Sequence, residues 1–281
     1  MAKHQLLLKR GEHVAEVRTD AGISIAIEQS FTSQQPNHFE TPDATRKPYE
    51  ADGFVGDTSQ GGSCNVDVLS LIPHCNGTHT ETIGHIVSGD YFVSRRLLSG
   101  PLIAQLITVE AVSAAECQES YLPPFEEADQ LITAMNLTNA LESADLARTW
   151  GQPDALIIRT NPNGDDKTSR EYRFSNPPAF FTNDALQVIL KTGIRHLLVD
   201  LPSVDRMADQ GKLSNHCLFW NVSVYNRVPN DEETLDKTIT EMVYVPNSVA
   251  DGVYLLDLQI AALNSDASPS RPILFPLAIT N

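Results

Sequence analysis

A short segment of the 281-residue chain concentrates residue types that bind metals. Residues 73–85 read PHCNGTHTETIGH and hold three of the eight histidines, one thiol and one carboxylate, namely His74, Cys75, His79, Glu81 and His85. Thiolate, imidazole and carboxylate are the groups that hold divalent transition metals in proteins. Cys75, His79 and Glu81 fall at i, i+4 and i+6, and Gly77 permits the tight turn that would bring them onto one centre. The segment therefore predicts a divalent metal site.

These residues also have simpler interpretations. The segment could be a polar surface loop whose histidines titrate freely and bind nothing. Cys75 could be a small buried apolar side chain, which is the common role of a free cysteine. His74 could be a substitute ligand, an ordinary loop histidine, or a residue whose free N–H contacts a ligating carboxylate.

The segment lies in an α/β pattern. Alternating apolar residues predict a strand at 65–72, directly before Pro73. Further apolar runs predict buried strands, at residues 101–112, 155–159, 196–201, 218–224 and 253–263. A helix is predicted over residues 183–192, with Gly193 as its stop. Interleaved strands and helices favour an α/β architecture.

The beginning of the chain differs from the rest. Residues 1–62 are rich in glycine and other turn-forming residues, which predicts an irregular arm with edge strands. No internal repeat or low-complexity linker divides the remainder of the chain. We therefore assign residues 1–50 to an N-terminal arm and residues 51–281 to a single domain.

Composition excludes several classes of partner. The chain has 20 Lys+Arg against 36 Asp+Glu, so nucleic acid and anionic membrane surfaces are poor partners. It has no run of 18 apolar residues, and the stretch at residues 6–8 is too short for a signal-peptide core, so a cytoplasmic protein is expected. The four cysteines lie far apart without a CxxC pair, which argues against a disulfide framework.

The 75–85 segment resembles the signature H-x-G-T-H-x-D-x-P-x-H of the putative cyclase family, metal-dependent hydrolases that include bacterial kynurenine formamidase and isatin hydrolase. Four fixed positions match, at Gly77, Thr78, His79 and His85. Three differ, with Cys75 in place of the first His, Glu81 in place of Asp and Ile83 in place of Pro.

Three other segments resemble the family in the same order along the chain. Residues 54–57, FVGD, resemble its W-P-G-D segment, in which Phe54 takes the place of a substrate-facing aromatic side chain. Residues 157–160 resemble its lIRTG strand, and residues 198–205 resemble its iDtpSvD turn. The resemblance implies a swivelling β/β/α fold.

The resemblance also implies a centre for two ions. Cys75 and His79 would hold the first ion. Glu81 and Glu241 would bridge to a second ion, and His216, at the place of a later metal-binding His, would complete its site. Glu241 precedes the SPSRP segment at 268–272 much as the family's last ligand, a Glu, precedes its tail.

The same resemblance implies three further roles. His85 would be the general acid/base outside the metal ligands, while Phe54 and His74 would border the substrate. A thiolate at Cys75 favours zinc, with manganese as the alternative.

The expected reaction is metal-assisted hydrolysis of an amide or related acyl bond, of the aryl formamide or cyclic amide type. The alternative is a catalytically weakened homologue that binds a metal or ligand. A small-molecule substrate and a homodimer or homotetramer are expected, and the N-terminal arm is a candidate for reaching a neighbouring subunit.

Overall fold

The protein is represented by a computed structural model that describes residues 6–31, 34–97, 100–144 and 151–279. The strands of its first part are β1 (Leu6–Arg10), β2 (His13–Val17), β3 (Ile23–Ser24), β4 (Thr45–Pro48), β5 (Glu50–Ala51), β6 (Phe54–Val55), β7 (Asp67–Ser70) and β8 (His79–Glu81). The later strands are β9 (Leu102–Glu110), β10 (Val112–Ser113), β11 (Gln130–Ile132), β12 (Ala155–Asn161), β13 (Phe180–Phe181), β14 (His196–Val199), β15 (Thr238–Glu241), β16 (Gly252–Ile260) and β17 (Ala267–Ile279). The α-helices are α1 (Pro73–Asn76), α2 (Val93–Arg96), α3 (Ala134–Ser143), α4 (Asn183–Lys191) and α5 (Ser214–Phe219).

Seven strands form a closed β-barrel in the order β17-β16-β9-β12-β14-β15-β8. The strands from β9 to β15 in this order run parallel, whereas β16, β17 and β8 pair antiparallel with their neighbours. The long strand β17 closes the barrel because its residues 267–269 pair with β8 and its residues 270–276 pair with β16. Closure removes the open edges that a sheet would otherwise expose.

Strand β12 shows why these sequences form barrel strands. Its apolar residues Ala155 and Ile157 alternate with Leu156 and Ile158, so that both faces of the strand are buried. Ala155 and Ile157 point into the barrel, where they pack against residues of β9, β14, β16 and β17. Leu156 and Ile158 pack on the other side against apolar residues of the helices. The architecture is thus mixed α/β, as predicted.

Helix α4 matches the predicted helix at 183–192. Thr182 caps its first turn by accepting a hydrogen bond from the backbone N–H of Ala185 at 2.9 Å. Leu186 and Ile189 point into the helix-facing core. Gly193 follows with φ of +70°, a left-handed conformation that suits glycine at a helix end.

The predicted strand at 218–224 is wrong. This apolar run instead contains the end of α5 and the turn after it, where Asn221 has φ of +52°. Phe219 and Trp220 are fully buried against the helix-facing core. A short apolar run bears no periodicity that separates a strand from a buried helical turn.

The first fifty residues contribute to the main sheet in part. The hairpin β1–β2 extends from β17, and β3 pairs with β17 as well. Ile25 is fully buried among residues that fill the barrel. The division of the chain at residue 50 stays a prediction. Within the described ranges, no helix is long and apolar enough to cross a membrane.

Candidate metal centre

The candidate centre lies where β8 meets β15. His79 and Glu81 sit two residues apart on β8 and therefore share one face of the strand. Glu241, the last residue of β15, is the register partner of His79, and Ile239 is the register partner of Glu81. Because Ile239 belongs to the core against the helices, these side chains lie on the helix-facing side of the sheet.

Two further histidines reach Glu81 from the segments that flank β8. His74, on the one-turn helix α1, places Nδ1 3.0 Å from Oε2 of Glu81. His85 ends the 3₁₀ turn Ile83–His85 and places Nδ1 3.6 Å from the same oxygen. Asp266, directly before β17, contacts both histidines, with Oδ2 2.9 Å from Nε2 of His74 and 3.6 Å from Nδ1 of His85.

His216 enters the centre from helix α5. Its Nε2 lies 3.0 Å from Oε1 of Glu81 and 3.6 Å from Oε1 of Glu241. Its Nδ1 lies 2.6 Å from Oδ2 of Asp205. Asp205 also accepts hydrogen bonds from the backbone N–H groups of Asn215 and His216, at 2.8 and 3.1 Å, so that it fixes the first turn of α5 together with the imidazole.

Asp205 is itself held by Tyr121. The Tyr121 hydroxyl donates to Oδ1 of Asp205 at 2.7 Å and accepts from the backbone N–H of Arg206 at 2.9 Å. Burial and the charge of Asp205 raise the pKa of Tyr121 well above its usual value, so the phenol stays a hydrogen-bond donor.

Three of the imidazoles have one nitrogen held by an oxygen and the other turned toward a glutamate. Nδ1 of His79 lies 3.0 Å from the backbone oxygen of Gly77, so this nitrogen carries the proton in the neutral ring. Nε2 of His79 is then an acceptor, 3.5 Å from Oε2 of Glu241. His216 and His74 repeat the arrangement with Asp205 and Asp266 as the holding groups.

The atoms that face one another in this centre lack hydrogen bonds. Within the described residues, both carboxylate oxygens of Glu81 are buried without a hydrogen-bond partner, as are the inward-facing nitrogens of His74, His79 and His216. Buried polar atoms without partners are rare in folded proteins. A cation accepts lone pairs from imidazole and carboxylate together, and ligating histidines commonly give their other N–H to a carboxylate or carbonyl. The donor set therefore fits a divalent metal.

Ligand atoms in two overlapping sets lie within 4.8 Å of one another. One set is His74, Glu81 and His85, and the other is His79, Glu81 and Glu241. Glu81 belongs to both and is therefore the carboxylate able to bridge two ions.

Protons compete with a metal for the same positions. Burial lowers the pKa of His74, but the hydrogen bond to Asp266 and the negative charges of Glu81 and Asp266 outweigh it and raise that pKa to about 10. Burial likewise opposes protonation of His216, yet the charge of Glu81 and the contact with Asp205 raise its pKa well above the usual range. Burial would raise the pKa of Glu81, but the positive charges of His85 and His216 hold it well below the usual value. Metal binding must therefore release protons.

Two of the predicted site residues, Cys75 and Phe54, are outside the contacts around Glu81. Cys75 is buried but belongs to neither set of ligand atoms. Burial and the negative charge of Glu241 raise the pKa of its thiol, although a hydrogen bond with Thr41 opposes them. Phe54 is half-buried on the β5–β6 hairpin, and its aromatic contact is Tyr49 at 6.3 Å between ring centroids. The structure thus brings together His74, His79, Glu81, His85, His216 and Glu241.

Two residues of the centre had no predicted role. Asp205 ends the 198–205 segment that resembles the family's turn, and this position was its only signal. Asp266 lies two residues before the SPSRP segment, and a lone carboxylate there carries no sequence signal. Both act through contacts that only the fold creates, 11 and 192 residues from their histidine partners.

Solved structures with the same fold include a predicted metal-dependent hydrolase and isatin hydrolases. A predicted metal-dependent hydrolase from Bacillus stearothermophilus superposes with a TM-score of 0.54 at 17% identity, over 91% of this chain and 98% of that one. An isatin hydrolase bound to the product analogue thioisatinate superposes with a TM-score of 0.56 at 13% identity, over 92% of this chain and 94% of that one. Isatin hydrolase A from Ralstonia solanacearum gives 0.56 and 12% identity, over 91% of each chain. No curated protein sequence matches significantly.

The sequence itself carries the family assignment. The profile of the family described as "Putative cyclase" matches residues 22–206, well over half of the chain. The match spans the histidine-rich segment, β8 and the turn that ends at Asp205. The chain therefore belongs to the putative cyclase family.

Proposed function

We propose that this protein is a metal-dependent hydrolase that cleaves an amide or related acyl bond, of the aryl formamide or cyclic amide type. One observation carries the proposal: the buried carboxylate of Glu81 has no hydrogen-bond partner among the described residues and faces nitrogens of His74 and His216 whose other ring nitrogens are held by carboxylates. Such an arrangement is costly unless a cation occupies the position between the donors.

The proposed ligands surround Glu81. His79 and Glu241 would hold an ion on one side of it, with His216 facing both carboxylates. A bound divalent ion would lower the pKa of a water from about 15.7 toward 7 and polarise a substrate carbonyl. Asp205 holds Nδ1 of His216 and so leaves Nε2 facing Glu81 and Glu241, where it would be free to bind the ion.

His85 is the proposed general acid/base. Its side chain is 26% exposed, whereas those of His79 and His216 are at most 1% exposed, so it borders both the centre and the solvent. An imidazole there can accept a proton from the attacking water and return it to the leaving nitrogen or oxygen.

The test combines metal analysis with a hydrolysis screen. We expect purified protein to bind a divalent metal, zinc or manganese, in stoichiometric amount and to hydrolyse a member of a panel of aryl formamides and cyclic amides. His85→Gln should keep the metal and lose about 100- to 10,000-fold in kcat. Asp90→Asn, which alters an exposed carboxylate five residues away, is the matched control.

The second candidate is a catalytically weakened homologue that binds a metal or ligand. The position of Cys75 outside both ligand sets favours it, since the first histidine of the family signature is absent from this chain. Stoichiometric metal without turnover that depends on His85 would support this second candidate.

A homodimer or homotetramer is part of the same proposal and rests on the family resemblance. Sedimentation of the full chain tests it, and a monomer at working concentrations would remove it.

A further inference from the structure

We propose that His74, oriented by Asp266, supplies the metal ligand that the family signature places at the position of Cys75. The inference rests on the proposed function, because it assigns a ligand to the same metal centre. It replaces a sulfur donor by a nitrogen donor that comes from the neighbouring residue.

The geometry of α1 decides between the two residues. Consecutive residues on a helix point about 100° apart, so His74 and Cys75 cannot both face Glu81. His74 takes the inward position, with its ring centroid 5.1 Å from that of His79 and 4.3 Å from that of His85. The Cys75 thiol forms a hydrogen bond with Thr41 and belongs to neither ligand set.

The environment of Cys75 is that of a packed side chain. It is 6% exposed, and its backbone oxygen accepts a hydrogen bond from the backbone N–H of His38 at 3.0 Å. Asn76 fixes the turn from the next position, because its side-chain oxygen accepts from the backbone N–H of Ile72 at 2.7 Å. Rotation of α1 to turn the thiol inward would break both hydrogen bonds.

The pair of Asp266 and His74 repeats the pair of Asp205 and His216 on the opposite side of Glu81. Asp266 accepts from Nε2 of His74 at 2.9 Å, which leaves Nδ1 of His74 directed at Oε2 of Glu81, 3.0 Å away. A carboxylate that holds one imidazole nitrogen while the other binds a metal is a common arrangement around protein metal sites. Within the described residues, Nδ1 of His74 is buried without a hydrogen-bond partner.

The local fold holds Asp266 in this position. Its backbone oxygen accepts from the backbone N–H of Thr82 at 3.0 Å, and the Ser265 hydroxyl donates to its Oδ1 at 3.1 Å. Gly84 packs directly against it, since a Cβ at Gly84 would lie 3.1 Å from Cβ of Asp266 and 2.9 Å from the backbone oxygen of Tyr91. Glycine at this position leaves room for the carboxylate to reach His74.

The substitution changes the chemistry of the donor set. With His74 in place of Cys75, all ligands are nitrogen or oxygen, and the preference that a thiolate would give for softer metals is absent. A centre of this composition suits manganese as well as zinc.

Cobalt spectroscopy of the full chain tests the assignment. We expect the Co²⁺-loaded wild-type protein to show cobalt ligand-field absorption without a thiolate-to-cobalt charge-transfer band in the near ultraviolet. Cys75→Ser should bind Co²⁺ with unchanged affinity and an unchanged spectrum. His74→Gln should bind at least about 10-fold more weakly, and Asp266→Asn about 10- to 100-fold more weakly.

The outcomes separate this inference from the proposed function. A thiolate band in the wild-type spectrum that Cys75→Ser abolishes would overturn the ligand assignment and leave the metal centre intact. Binding of Co²⁺ that His74→Gln leaves unchanged would also overturn it. Wild-type protein that binds no Co²⁺, Zn²⁺ or Mn²⁺ would refute the proposed function itself. The wild-type spectrum requires no variant, so the test does not depend on how the variants fold.

Discussion

Nδ1 of His216 lies 2.6 Å from Oδ2 of Asp205, and both side chains are 1% exposed. The two residues belong to different elements, the turn after β14 and the helix α5, and the same carboxylate also binds the first backbone N–H groups of that helix. Asp205 thus sets the position of α5 and the tautomer of its histidine in one contact. This pair determines which nitrogen of His216 faces Glu81.

Replacement of Asp205 by Asn should weaken metal binding without removing a ligand. The amide presents a weaker acceptor to Nδ1 of His216, so the ring loses its fixed tautomer, and we expect the metal affinity to fall about 10- to 100-fold. Titration of metal-free protein against a chelator of known affinity measures the change, with Asp90→Asn as control. Unchanged affinity in a folded Asp205→Asn protein would contradict this role.

The sequence supplied most of the centre and missed its supporting groups. His79, Glu81, His216 and Glu241 could be predicted because residue types that bind metals coincide with a known order of motifs. The inward position of His74 could not, because it depends on the rotation of a single helical turn. The contacts of Asp205 and Asp266 arise only when β8, β17 and α5 come together.

A buried ion pair near the ends of β12 and β14 should contribute strongly to stability. Nζ of Lys167 lies 2.7 Å from Oδ2 of Asp200 and also donates to the backbone oxygen of Thr160 at 2.7 Å. The two side chains are 3% and 0% exposed. Lys167→Met leaves the carboxylate buried without its cation, and we expect a loss of about 3–5 kcal/mol in the free energy of unfolding.

Denaturant titration of three variants checks this prediction. The double variant Lys167→Met/Asp200→Asn should lose less than Lys167→Met alone, because no charge is left unpaired and the amide oxygen can still accept from the backbone N–H of Thr160. Arg170→Met, which breaks an ion pair with exposed Asp166, should lose at most about 1 kcal/mol. Equal losses for Lys167→Met and Arg170→Met would show that burial of the pair has no energetic consequence.

His196 should make the protein less stable in acid. Burial, with a contribution from the charge of Arg195, lowers the pKa of His196 to about 4 from its usual 6.5. Between pH 4 and pH 6.5, His196 is therefore protonated in the unfolded chain and neutral in the folded chain. The neutral ring stabilises the folded protein fully above about pH 6.5, and this stabilisation is lost as the pH falls toward 4. The free energy of unfolding lost by pH 5 is about 2 kcal/mol.

Unfolding free energies at pH 7 and pH 5 measure the effect. His196→Gln, which can keep a hydrogen bond to the Thr238 hydroxyl, should show a smaller decrease between the two pH values than the wild-type protein. Identical decreases in the two proteins would mean that His196 is protonated equally in the folded and unfolded chains.

Gly84 should tolerate no side chain. A Cβ there would lie 2.9 Å from the backbone oxygen of Tyr91 and 3.1 Å from Cβ of Asp266. We expect Gly84→Ala to cost about 1–3 kcal/mol through overpacking. Gly100→Ala is the control, since a Cβ at Gly100 would meet no atom of the described residues within 4 Å. Thermal unfolding distinguishes the two, and equal melting temperatures would contradict the close approach at Gly84.

Elements of the fold could be predicted where residues in the sequence mark the point at which a helix begins and ends. Helix α4 has a capping Thr182 before it and Gly193 after it, so its pattern was unambiguous. The run at 218–224 has no such signals. Trp220 is buried at the end of a helix because it packs against residues that are distant in the sequence. Barrel closure by β17 could not be predicted either, because pairing of residues 267–269 with β8 joins segments almost 190 residues apart.

The most direct test is the position of a bound ion. Crystals of the protein loaded with Zn²⁺ or Mn²⁺ should show an anomalous scattering peak between the carboxylates of Glu81 and Glu241 and the rings of His79 and His216. Glu81→Gln should abolish the peak and reduce the metal content measured by mass spectrometry. A folded wild-type protein without metal at this position, or a Glu81→Gln protein that retains it, would contradict the account.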